Sequence, residues 1–86
     1  MSHNFILLKS TADIPTFIMM ASIAREEDYL PSSLKGDVIA ATSLVGAGES
    51  TSVTFTAPIR PGEYPYVCSF PGHYNAGMRG TMVVRR

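Results

Sequence analysis

The stretch from His3 to Lys9 (His-Asn-Phe-Ile-Leu-Leu-Lys) reads as a strand rich in large apolar residues, and it begins abruptly, with no turn or cap before it. Thr11 to Pro15 carries turn and helix-start chemistry. Phe17, Met20, Ala21 and Ala24 then recur at helical spacing ahead of the charged run Arg25-Glu26-Glu27-Asp28, which predicts a helix from about Pro15 to Tyr29, ended before Pro31. Gly36-Asp37 marks a turn, Val38 to Thr42 a short strand, and Gly46-Ala47-Gly48 a second turn. From Ser50 to Ala57, Val53 and Phe55 alternate with Ser52, Thr54 and Thr56, the pattern of a half-buried strand. Pro58 to Gly62 forms a loop, Tyr64 to Ser69 a strand, Phe70 to Met78 a loop bearing glycine and proline, and Thr81 to Arg85 a closing strand. Tyr64 and Tyr66 share one face as packing residues. Pro65 between them has no N–H to donate, so an edge or bulge position is expected there.

With 86 residues the chain makes one domain, which buries only about 60–65% of the surface its unfolded state exposes. Seven basic and seven acidic side chains leave no net charge to attract nucleic acid or anionic lipid. No apolar run approaches the length of a membrane span, and the first residues lack the basic and apolar regions of a signal peptide. The Gly46-x-Gly48 pair lacks the third glycine and the strand-to-helix context of a phosphate-binding loop, and the Arg25–Asp28 run reads as a solvated face.

Cys68 is the sole cysteine, which excludes an internal disulfide and leaves a buried thiol, a nucleophile or a metal ligand. His73 and Met78 follow it at intervals of five residues, so one strand end and its loop offer a thiolate, an imidazole and a thioether. That mixture suits copper, whose reduced form prefers soft sulfur and whose oxidised form takes nitrogen, in a plane of two histidines and one cysteine with a weak axial methionine. Structural zinc would more usually have several thiolates. The second histidine can only be His3, 65 positions before Cys68, and a β-sandwich can bring such remote strands side by side. A thiol hydrolase lacks support, because no oriented Asp or Asn partner is evident and Met78 would have no task.

The segments Met1 to Phe5, Gly62 to His73 and Gly77 to Val84 resemble the copper-binding segments of cupredoxins, the blue copper proteins, of the azurin and auracyanin type. The resemblance covers nearly the whole chain. It implies an all-β, Greek-key β-sandwich with a helical flap inserted, in which residues 1–86 are the C-terminal portion of a cupredoxin domain and the first strands are missing. Met1 would then be an internal methionine. By the same resemblance the equatorial ligands of one copper ion are His3, Cys68 and His73, Met78 is the axial ligand, and Asn4 hydrogen-bonds across to Ser69. The implied function is one-electron transfer between redox partners without enzymatic activity, in a periplasmic or other extracytoplasmic location. A copper carrier or storage module using the same ligands is the alternative. Partners would dock over His73, amid the uncharged Phe70, Pro71, Gly72 and Ala76 with Met1 nearby.

Overall fold

The computed structural model describes residues 2–85. Four antiparallel strands, β1 (Ile6–Leu8), β2 (Val38–Ala41), β3 (Gly62–Val67) and β4 (Arg79–Val84), form one sheet in the order β2-β1-β3-β4. The unbroken apolar run of β1 belongs to an inner strand covered on both faces, and Ile6, Leu7 and Leu8 are all fully buried. On one face Ile6, Leu8 and Val67 pack against Phe17 and Ala21 of helix α1 (Ile14–Ser22); on the other, Leu7 packs against Ala40 and Tyr64. Each large apolar side chain buried in this way contributes about 1.5–3 kcal/mol.

Helix α1 starts where its signals lie. Asp13 caps it by accepting the Thr16 N–H at 3.2 Å and the Thr16 hydroxyl at 2.9 Å, with Pro15 in the first turn. It ends at Ser22, well short of the expected Tyr29, and a 3-10 turn over Arg25–Glu27 follows. The physical reason is burial: Phe17 and Ala21 anchor the helix one turn apart, whereas Arg25, Glu26 and Glu27 bury nothing that would hold another turn in place.

One other expectation changes. The segment Ser50–Ala57 pairs with no described strand; Val53 packs against the Leu7, Ala40 and Tyr64 cluster while Phe55 stays 37% exposed. Alternation tells which side chains face inward, but a ladder also needs a neighbouring backbone. Pro65 lies on β3 opposite Thr81 of β4, but beyond the end of the β1 ladder, so that its other side is a local edge, as expected. Because the β1 ladder stops at the Leu7–Tyr66 pair, one position short of Pro65, it asks no bond of the missing N–H. Tyr64 and Tyr66 do share a face: the Tyr64 hydroxyl donates to the Arg60 carbonyl at 2.6 Å, and the Tyr66 ring packs on Phe5, centroids 5.1 Å apart. The Gly46 turn also forms, the Glu49 N–H donating to the Gly46 carbonyl.

On the sheet face away from α1, Phe5, Ile39, Tyr66, Met82 and Val84 are only partly buried, and β4 is an edge strand with Val83 51% exposed. In isolation the 86-residue chain is therefore expected to self-associate or to melt at low temperature. Sedimentation velocity with thermal unfolding checks this, and a cooperative, monomeric melt at high temperature would contradict it.

Candidate metal centre

The second histidine is delivered by strand pairing. β1 lies antiparallel to β3 with Ile6 opposite Val67, so the residues just before Ile6 and just after Val67 come together at one end of the sheet. His3 is fixed on its other side by a bridge to Val45, its N–H donating to the Val45 carbonyl at 2.8 Å and its carbonyl accepting the Val45 N–H at 2.9 Å. Asn4 ties the two ligand-bearing segments together. Its Oδ1 accepts the Ser69 N–H at 2.8 Å and its Nδ2 donates to Ser69 Oγ at 2.9 Å, the link that the resemblance implied.

The loop after Cys68 is wound around the His73 carbonyl, which accepts the N–H of Ala76 at 3.1 Å and of Met78 at 3.0 Å. The Cys68 N–H in turn donates to the Met78 carbonyl at 3.0 Å. Those bonds are why the two five-residue steps return the chain to its starting point, with the Met78 backbone against both Cys68 and His73. Gly72 (φ 85°) and Gly77 (φ 101°) supply the left-handed corners that side chains rarely adopt.

One donor atom from each of His3, Cys68 and His73 lies within 4.8 Å of the other two. First-row ions bind imidazole nitrogen and thiolate sulfur at about 2.0–2.3 Å, which places three donors in one plane roughly 4 Å apart. The Cys68 thiol and His73 ring are buried, with Sγ 3.4 Å from Nδ1 of His73, and the two imidazole rings stand 4.7 Å apart. Nδ1 of His3 is buried without any hydrogen-bond partner among the described residues. An unpaired buried nitrogen on a residue clustered with a thiol and a second imidazole is costly unless a further electrophile takes its lone pair, so the residues present fit a metal. Burial, reinforced by the nearby His3, lowers the pKa of His73 below the ordinary histidine value. That holds its ring neutral at neutral pH, the form that ligates. Met78 begins the return into β4 with its side chain 39% exposed.

Around His73 the structure leaves Pro71, Gly72, Asn75 and Ala76 exposed and Phe70 half-buried; Met1, also expected there, lies outside the described residues. The sequence reading missed Arg79, whose guanidinium sits 4.7 Å over the Tyr74 ring and puts a positive charge beside this loop. Only the spacing of an aromatic and a cation across the loop hinted at it.

A two-histidine, one-cysteine cluster, with Cys68 and His73 buried and His3 half-buried, at one end of an antiparallel sheet defines a class of single-ion, soft-metal proteins. The chain belongs to the copper binding proteins of the plastocyanin/azurin family, whose family model matches residues 1–85. It is 40% identical over 83 residues to auracyanin-B of Chloroflexus aurantiacus, covering 95% of this chain and 35% of that protein. It is 46% identical over 88 residues to azurin of Achromobacter denitrificans, covering 95% of this chain and 55% of the relative. The structure of dithionite-reduced auracyanin from Roseiflexus castenholzii superposes with a TM-score of 0.88 at 38% identity, covering all of this chain and 68% of that one. The mostly β fold with a small helix is thus the family's fold, and copper is the metal its members bind. The chain spans roughly a third to just over half of the length of these two curated relatives.

Proposed function

We propose that residues 1–86 form the C-terminal portion of a cupredoxin domain that carries one type 1 copper ion on His3, Cys68, His73 and Met78 and transfers single electrons outside the cytoplasm. The observation that carries this reading is the three-donor cluster, buried at Cys68 and His73, with its buried and unpaired His3 Nδ1. When bound, copper supplies a one-electron couple that no side chain here provides. The protein's part is to hold the donors still. The Asn4–Ser69 clamp and the His73 carbonyl bonds tie both ligand-bearing segments, so the same geometry serves both oxidation states. Burial of Cys68 and His73 keeps water from the sulfur and from the imidazole. Kinship with the azurins and auracyanins favours a carrier over an enzyme. No helix among the described residues is long and apolar enough to cross a membrane.

Partner proteins dock over the loop carrying His73, where Pro71, Gly72 and Ala76 are exposed and uncharged. Such a patch loses its water at little cost yet is too small to hold a partner tightly, as transient electron exchange requires. Placing a charge there by Ala76→Asp is expected to slow electron self-exchange, followed by NMR line broadening, about tenfold through like-charge repulsion between two copies. The visible spectrum should not change. An unaltered rate in Ala76→Asp together with a large change in Glu27→Lys would move the exchange surface to the segment after α1.

A further inference from the structure

Between the 3-10 turn and Leu30 the backbone takes two consecutive left-handed residues, Asp28 (φ 54°) and Tyr29 (φ 61°). A bulky aromatic side chain rarely adopts this region unless its surroundings over-determine it. The turn is closed by backbone bonds, the Asp28 N–H donating to the Arg25 carbonyl at 3.2 Å and the Tyr29 N–H to the Ala24 carbonyl at 3.0 Å.

The result of this turn is the direction in which Tyr29 faces. Its carbonyl accepts the hydroxyl of buried Ser69, the residue after Cys68. Its ring meets Phe70 edge-on, with centroids 5.2 Å apart and planes at 71°. The Phe70 ring in turn lies 4.9 Å from the His73 ring. One residue from the helical side of the molecule thus touches both Ser69 and Phe70, the dipeptide that leads from Cys68 into the His73 loop.

We infer that Tyr29 is a positioning residue for the metal centre: its ring braces Phe70 against His73 and its carbonyl holds Ser69, fixing where Cys68 and His73 stand relative to each other. This rests on the metal-site reading above. Asn4 also holds Ser69, through its N–H and its hydroxyl, while the ring acts on Phe70, so the contribution of the ring is separable from that of the carbonyl. Glycine accepts a φ of 61° without strain, and Tyr29→Gly therefore removes the ring while leaving the turn and its carbonyl in place. Tyr29→Phe keeps the ring.

The test uses metal-free protein under native conditions and reads the rate at which iodoacetamide alkylates Cys68. Cys68 is only 3% exposed, so the reaction reports opening of the loop around it. Tyr29→Gly is expected to accelerate alkylation about three- to tenfold, the factor an edge-to-face aromatic pair supplies, while Tyr29→Phe reacts like the wild type. In a Phe70→Leu background Tyr29→Gly should add no further acceleration. In copper-loaded protein, loss of the ion to a chelator should follow the same order. Equal rates in wild type and Tyr29→Gly would overturn the proposal. So would an acceleration that persists undiminished in Phe70→Leu, or one that merely equals the change in global unfolding measured with urea. Tyr29→Leu, with bulk but no ring edge, is read in the same way should the glycine variant fail to fold. Alkylation needs no metal, so a wild type that binds no copper would defeat the copper reading and leave this result to stand or fall separately.

Discussion

Copper(II) added to the folded protein is expected to turn it blue or green, and Cys68→Ser is expected to abolish the colour. An intense visible band requires charge transfer from a thiolate to the ion, and Cys68 is the sole thiol in the chain. A serine oxygen is harder and is not ionised at neutral pH, so visible absorbance per bound copper should fall about tenfold or more. Serine differs little from cysteine in size, and His73 Nδ1, 3.4 Å from Sγ, is positioned to pair with the new hydroxyl. The variant should therefore fold, which melting of the metal-free protein would check. A colourless complex in the wild type would contradict the type 1 assignment.

The two ends of the ligand set are expected to respond in opposite ways. His3→Gly would remove one of the three proposed in-plane donors, together with the nitrogen that stands buried and unpaired, and copper affinity should fall by about a hundredfold or more, since even loss of a group that only supports a ligand costs 10–100-fold. Met78→Leu should keep the colour and raise the reduction potential. In the proposed axial role the thioether would donate weakly to the oxidised ion, and leucine of similar volume would remove that donation without disturbing the other three donors. A rise on the order of 60 mV would correspond to a tenfold shift toward the reduced state. The Met78 side chain is partly exposed, so its loss should cost little stability. Titration with a competing chelator and cyclic voltammetry separate the two effects, and loss of all copper binding in Met78→Leu would refute the axial role.

The chemistry of this site was written locally. Cys68, His73 and Met78 lie on one strand end and one short loop, and their donor atoms alone point to copper. The start of α1 was equally legible, because Asp13 and Pro15 act within one turn of themselves. His3 is assigned to the same site by elimination and resemblance, since no local pattern links it to Cys68. Its place there follows from β1 lying between β2 and β3, a pairing chosen by burial of Ile6, Leu7 and Leu8 across the whole sheet. The end of α1 and the unpaired Ser50–Ala57 segment differ from expectation for the same reason. Propensity and alternation fix how a segment would sit if it had a neighbour, whereas the neighbour itself is decided by long-range competition for buried surface and backbone partners. Tyr29 is the clearest case. Nothing in Glu27-Asp28-Tyr29-Leu30 announces two left-handed residues, and they are explained only by the tertiary contacts that Tyr29 makes with Ser69 and Phe70.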